Sequence, residues 1–369
     1  MTDKKTVAYI TRHIVANYGS VLQAYATQEA LKNIGAKPLC IDYFRTDELP
    51  ENLVATRLST SKWNKNPLTR AFFMLTQKPV YALADKRFAG YRKIIEVTER
   101  QYHSVSELCE NPPEADIYMT GSDQVWNTVV CGELDPAYFL SFVPEGKPKT
   151  AYAASFGGNL SDEQKSQIKP LLDEYDFISV RENSGTELLK SMNIQAAQVL
   201  DPTFLLSKTE WEKLLPKRET NEKYALVYQL HPNKKLDRYA KAYAKKHGLK
   251  LYRISHCFHH AVRSGKFVLC PPIEEFLWYI KNAQVLITDS FHGTAFAIGL
   301  NTPFLDILPT NYSERISSIL TLIGCENRIL KDYNDFETAA LPIDFDRVNA
   351  IIEKERANSY AVLKRMTGD

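Results

Sequence analysis

The chain has 369 residues, 44% of them hydrophobic, and 46 Lys and Arg stand against 44 Asp and Glu, a formal net charge of +2. That length suits two domains of ordinary size, and the near-neutral balance excludes a dedicated nucleic-acid binder. No stretch approaches the ~20 apolar residues of a membrane span, and Met1–Lys5 leads into a strand without the apolar run of a signal peptide.

In chain order, Val7 to Ile10 reads as a strand. Asn17-Tyr18-Gly19-Ser20 reads as a loop in which Ser20 N-caps a helix running to about Asn33, stopped by Gly35. Pro38 to Tyr43 reads as the next strand, and this strand–helix–strand rhythm implies a parallel sheet. Residues 51 to about 96 break the rhythm. Here Arg57, Lys62, Lys65, Arg70, Lys78, Lys86, Arg87, Arg92 and Lys93 interleave with Trp63, Phe72, Phe73, Tyr81, Phe88 and Tyr91. Such a stretch is either a helical insertion with solvated lysines or, over 57–93, a surface for anionic lipid headgroups.

The rhythm resumes with strands at Asp116 to Thr120, Thr150 to Phe156 and Phe177 to Val180, followed by a helix ending near Met192. Polar residues 206–221 read as a linker. A second set follows: strand Tyr224 to Leu230, helix Leu236 to His247, strand Lys250 to Ile254, helix Glu274 to Lys281, strands at Val285 to Thr288 and Phe304 to Leu308. Residues 345–369 read as a terminal helix crossing back. The expected organisation is an N-terminal α/β domain (1–205) and a C-terminal one (222–344), two Rossmann-like domains facing a cleft.

Four constellations carry chemistry. At 288–297 an apolar strand stops at Asp289-Ser290 and a helix begins with His292 at its mouth. A helix N-terminus at a strand's carboxyl end favours an anion. Gly121 to Asn127 sets Asp123, Gln124 and Asn127 beside Trp126, a combination suited to gripping sugar hydroxyls and covering a ring's C–H face. The alternative is a polar turn anchored by a core tryptophan. Arg181, at a strand end, suits bidentate capture of carboxylate or phosphate, or else an ion pair with Glu182 or a neighbour. Asn17 to Ser20 forms a strand-to-helix turn without a glycine-rich phosphate loop, and Asp42 is a weak match to a ribose-binding acid. Cys257, His259 and His260 lack zinc spacing, and no metal site is expected. The six cysteines (Cys40, Cys109, Cys131, Cys257, Cys270, Cys325) show no C-x-x-C pair, which suits the reduced thiols of a cytoplasm.

These pieces resemble the polysaccharide pyruvyl transferase family. The resemblance rests on N-Y-G-S-V-L-Q-A-Y-A at 17–26, G-S-D-Q-V-W-N at 121–127, I-S-V-R-E-N-S-G at 178–185, V-L-D-P-T at 199–203 and T-D-S-F-H-G-T-A-F-A-I-G at 288–299. It implies a fold resembling GT-B glycosyltransferases, phosphoenolpyruvate as donor substrate with no further cofactor, and pyruvate transferred as a ketal onto two hydroxyls of one sugar. It places the family histidine on His292 and a strand-end arginine on Arg181. Many members carry an arginine two residues before that histidine, where this chain has Ser290. Arg181, Arg253, Arg263, Lys266 or Arg315 must then supply more of the charge.

The expectation is a cytoplasmic enzyme, at the inner face of the plasma membrane, acting on a cell-surface glycan or its lipid-linked precursor. His292, Asp123 and Arg181 are the expected catalytic residues. Ser290, Gly293, Thr294 and Arg181 would hold the donor, and Asn17, Tyr18, Asp123, Gln124, Trp126 and Asn127 the acceptor. The alternatives are a glycosyltransferase using a nucleotide sugar and a non-catalytic glycan-binding protein on the same fold.

Overall fold

The computed structural model describes all residues except 1–3, 46–48, 60–61, 128–133, 159, 310–312 and 369. The chain divides into two compact units, Met1–Leu205 with Glu355–Asp369, and Leu206–Lys354.

In the first unit β1 (Thr6–Ile10) leads to α1 (Tyr18–Asn33) and β2 (Lys37–Cys40). Asn17, not Ser20, caps α1: its side chain accepts from the Gly19 amide at 2.8 Å. Both residue types cap helices well, but the Ser20 hydroxyl is drawn away to Asp123. Gly35, at φ +87°, ends the helix in the left-handed region open to glycine. Between β2 and the next strand lie α2 (Pro50–Ser59), α3 (Pro67–Tyr91) and α4 (Val105–Glu110). Then come β3 (Ile117–Thr120), β4 (Lys149–Ala154), α5 (Asp162–Leu172), β5 (Phe177–Val180), α6 (Asn183–Ser191) and β6 (Ala197–Gln198). The sheet order is β2-β1-β3-β4-β5-β6, all parallel. The inner strands are buried on both faces, so they read as near-continuous apolar runs rather than alternating ones.

The second unit begins inside the stretch expected as a linker. Residues 206–221 include α7 (Lys208–Glu212), and its Trp211 is fully buried against Phe296. There follow β7 (Tyr224–Tyr228), α8 (Lys234–Lys246), β8 (Lys250–Ser255), β9 (Lys266–Leu269), α9 (Ile273–Lys281), β10 (Val285–Thr288), α10 (Phe291–Gly299), β11 (Phe304–Asp306) and α11 (Glu314–Leu322). The order is β11-β10-β7-β8-β9, again all parallel. Val227, Leu236, Tyr239, Val285, Ile287 and Leu305 form its core on the α8 side. The final helix, α12 (Phe345–Thr367), starts among residues of the second unit and ends among those of the first. There Arg356 donates to the Phe204 carbonyl at 2.7 Å, and Ser359 accepts from the Leu200 amide at 3.0 Å.

Each sheet has one point where consecutive crossovers leave in opposite directions. In the first, the chain passes from β1 to β2 on one side while β3 lies on the other. In the second, β7 leads to β8 while its other neighbour β10 leads to β11. Ligands of open parallel sheets bind at the carboxyl ends of strands at such points.

Candidate functional site

At the β10/β7 point the apolar strand delivers Thr288, Asp289 and Ser290 in succession. Thr288 donates to the Tyr228 carbonyl at 2.7 Å and accepts from the Ser290 amide at 3.0 Å, so it ties the two strand ends together. The buried Asp289 carboxylate accepts from the Leu230 amide at 2.7 Å and the His231 amide at 2.9 Å. It also stands 3.3 Å from His231 Nδ1, and the His231 side chain is 48% exposed. A carboxylate on one imidazole nitrogen fixes the ring and leaves the other to face solvent.

Ser290 caps α10, its hydroxyl accepting from the Gly293 amide at 3.2 Å. A Cβ on Gly293 would lie 2.6 Å from Thr288 Oγ1, so only glycine lets the first turn sit this close to the strand. His292 occupies that turn, buried, with its ring edge-on to Phe291 at 5.1 Å. Two expected donor contacts are corrected here. The Gly293 amide already serves the cap. Thr294 is fully buried, and its hydroxyl lies 3.1 Å from the Ser290 carbonyl and 2.6 Å from Asp306 Oδ1. Thr294 therefore seats the helix rather than touching a ligand. Burial pushes the Asp306 carboxyl up to about 8, with the Asp289 charge adding and the Thr294 hydrogen bond opposing.

The four basic residues considered as substitutes for an arginine at 290 separate by position. Arg315, in the first turn of α11, lies over the ring of Phe291, the residue before His292, at 5.7 Å. Arg253 is buried, with Nη2 2.7 Å from Asp237 and Nη1 donating to Gln229 at 3.1 Å; Arg263 donates to the same Gln229 oxygen at 3.0 Å. Lys266 opens β9, at the amino end of the sheet, with its ammonium over Tyr252 at 4.9 Å, and is excluded from the carboxyl edge.

At the β1/β3 point the first unit assembles a buried polar network. Asp123 sits at φ +75°, a conformation that costs a non-glycine residue energy and recurs at functional turns. Its Oδ2 accepts from Ser20 at 2.8 Å and its Oδ1 from the Gln124 amide at 2.8 Å. Arg181, its side chain 2% exposed, donates to Asp201 at 2.7 Å and lies 3.4 Å from both Asp123 Oδ1 and Glu182 Oε2. Burial opposes its charge, but the Asp201, Glu182 and Asp123 carboxylates outweigh burial and raise its pKa above the ordinary arginine value. This is the ion-pair arrangement, and Arg181 holds β5 to the 121–123 and 201–203 turns.

Trp126 requires a correction. It is fully buried, stacked on Phe139 at 5.7 Å and packed on Phe156 at 5.0 Å, and its Nε1 donates to the Tyr138 carbonyl at 3.0 Å. It anchors the turn and offers no face to a sugar. Tyr18 is likewise a packing residue, against Phe88 at 5.0 Å, and Asn17 is spent on the helix cap. The amides remain. Asn127 donates to Gln124 Oε1 at 3.3 Å, and the buried Gln124 Nε2 has no hydrogen-bond partner among the described residues. Gly157, at φ +70°, clears the space: a Cβ there would stand 2.6 Å from Asn127 Nδ2 and 3.0 Å from Gln124 Cδ.

Two histidines escaped the sequence reading, His231 and His13. His13 follows β1, with Nε2 2.9 Å from Asp42 and Nδ1 3.2 Å from the Thr11 carbonyl. Burial works against its charge, but Cys40 and Asp42 overcome it and lift the imidazole to about 10. With both nitrogens engaged, the ring is fixed in place at the end of β1. The rule that selected His292, a histidine just beyond a strand's carboxyl end, would have found both. No cluster of His, Cys, Asp and Glu able to hold a metal occurs among the described residues; the side chain of His259 lies outside them, as does Cys131.

Two parallel-sheet α/β units, each with a switch point at its carboxyl edge, define a GT-B-type protein. Solved structures of this fold cover the chain almost end to end. The UDP-GlcNAc 2-epimerase from Neisseria meningitidis bound to UDP-GlcNAc is 12% identical at a TM-score of 0.51, covering 98% of this chain and 99% of its own. The S. aureus MnaA–UDP co-structure is 9% identical at 0.51 (96% and 90%). An alpha-glucosyltransferase in complex with UDP-glucose and DNA containing an abasic site is 9% identical at 0.50 (97% and 94%). No curated protein matches the sequence. The model of the polysaccharide pyruvyl transferase family matches residues 17–310, and the chain belongs to that family.

Proposed function

We propose that the protein transfers the pyruvyl group of phosphoenolpyruvate onto two hydroxyls of one sugar in a cell-surface polysaccharide or its lipid-linked precursor, forming a cyclic ketal and releasing phosphate. The observation that carries this reading is the family match over 17–310, with His292 in the first turn of a capped helix at a sheet's switch point. Net, two O–H bonds, the C2–O(phosphate) bond and the C2=C3 π bond break. One hydroxyl proton ends on C3, the other on phosphate, and C2 gains two sugar oxygens.

In this reading His292 delivers a proton to C3 and recovers one from the attacking hydroxyl, work suited to an imidazole, whose nitrogens can both donate and accept. The positive end of α10 and the Arg315 guanidinium oppose the donor's negative charge, which supports Arg315 as the substitute for an arginine at 290. His231, oriented by Asp289, is a second proton carrier at the same strand ends. Gln124 and Asn127 orient the acceptor diol, and Asp123 sets their turn. Arg181 organises that turn from within.

The test is phosphate release from phosphoenolpyruvate against a panel of galactosides, glucosides and mannosides. Acceptor-dependent release, with the sugar gaining the mass of pyruvic acid less water, is expected. Release from no acceptor, with glycosyl transfer from a nucleotide sugar instead, would overturn the reading; binding of glycans without turnover would mark a non-catalytic member.

A further inference from the structure

The helix α3 carries an exposed face that the proposed chemistry does not use. Leu68 is 80% exposed, Phe72 58% and Leu75 77%, and Trp63, in the turn before the helix, is 38% exposed with its ring 6.0 Å from Phe72. Four of the nine large hydrophobic side chains exposed among the described residues therefore fall within 63–75. Such clustering marks a contact surface, whereas scattered apolar residues need no explanation.

The pattern continues along one side of the helix. Residues 68, 72, 75, 79, 82, 86 and 89 of the helix, and 93 in the turn that follows it, keep spacings of four and three, the spacing of a single helical face. All of them are exposed. The face is apolar at its N-terminal end (Leu68, Phe72, Leu75) and basic at its C-terminal end (Lys86, Lys93). Lys65, Arg70 and Lys78 are exposed around the apolar end. Between residues 63 and 93 the only acid is Asp85, and it stands 3.8 Å from Arg92. The side chains of Arg57 and Lys62 lie outside the described residues.

Charge decides between the occupants of this face. A second copy meeting it by two-fold symmetry would bring the same basic residues against one another. A neutral apolar partner would leave the lysines unanswered. An anionic bilayer answers both halves: acyl chains receive Leu68, Phe72, Leu75 and Trp63 at the headgroup boundary, and the lipid phosphates receive the lysines and Arg70. No helix of the described residues is long and apolar enough to cross a membrane, so the contact is one of lying on the surface. We propose that the exposed face of α3, from Trp63 to Lys93, is a docking surface for an anionic lipid bilayer. This inference stands on α3 alone and does not depend on the reaction assigned above.

The experiment is flotation of the full chain with vesicles of phosphatidylglycerol and phosphatidylcholine, or of phosphatidylcholine alone, at low and at high salt. Binding to the anionic vesicles at low salt, lost at high salt and absent with phosphatidylcholine alone, is expected. Phe72→Gln with Leu75→Gln, and separately Lys65→Glu with Arg70→Glu and Lys78→Glu, should each weaken that binding at least about ten-fold. Because these side chains are exposed, melting temperature and turnover on a short soluble acceptor should stay at the wild-type level. No flotation of the wild type with anionic vesicles at low salt would overturn the proposal. So would a concentration-dependent dimer abolished by the Phe72/Leu75 variant, which would assign the face to a second copy.

Discussion

His292 and Arg181 are both buried at strand ends, yet their surroundings assign them different work. His292 lies in the first turn of α10 against Phe291, whose ring Arg315 covers, whereas Arg181 is enclosed by Asp201, Glu182 and Asp123. His292→Gln should therefore leave the melting temperature near wild type and lower kcat by roughly two to four orders of magnitude, the range of a positioned acid–base. Turnover within a few-fold of wild type in the folded variant would remove His292 from the proton path. The two arginines should separate in the opposite sense. Arg181→Met strands three buried carboxylates and should cost roughly 3–5 kcal/mol in urea unfolding, as expected when one partner leaves a buried ion cluster. Arg315→Gln should keep its unfolding midpoint and raise the KM for phosphoenolpyruvate. A stable Arg181→Met with a raised donor KM would reverse the two roles.

At the scale of elements, the turns that carry the site are shaped by glycines and caps. The 155–158 turn after β4 leaves room for Gln124 and Asn127 because residue 157 has no side chain. Gly157→Ala adds a Cβ against both amides at a positive φ. It should raise the acceptor KM well above its effect on the donor KM, read by initial rates with each substrate varied; equal changes in both constants would show that the amides do not touch the acceptor. The β10–α10 joint was legible in sequence because the whole device is local: an apolar run, Ser290 to cap, and Gly293 to allow close packing. The α1 cap was misplaced by three residues because Asn17 and Ser20 are equivalent locally, and Asp123, 103 residues from Ser20, decides between them. Trp126 was misjudged for a similar reason: its burial depends on Phe139, Phe156 and Tyr175. The carboxylate partners of His13 and His231, and the Asp201 and Asp123 partners of Arg181, are equally nonlocal. Strand β9 and helix α11 went unread, four residues of KFVL being too short to show a period and α11 following a polar stretch without a side-chain cap.

For the whole molecule, each of the two sheets has one switch point at its carboxyl edge. In the second unit His231, His292 and the N-terminus of α10 follow β7 and β10; in the first, Gln124 and Asn127 follow β3 on a turn held by Arg181. The alternation of strand and helix along the sequence was enough to read both sheets as parallel, since crossover helices force that arrangement. The return of α12 to the first unit leaves the chain ends of that unit joined, with Lys5 Nζ 2.9 Å from the Thr367 carbonyl.

The central claim is that one enzyme makes a ketal, with a proton added at C3 and two sugar oxygens joined to C2. The direct measurement is the reaction of phosphoenolpyruvate, isotopically labelled at C2, with an active acceptor in deuterium oxide, followed by NMR of the product sugar. The account predicts a labelled quaternary ketal carbon bonded to two sugar oxygens, and a methyl group carrying a single deuterium. A labelled vinyl carbon on one sugar oxygen, or label recovered only in free pyruvate, would contradict it.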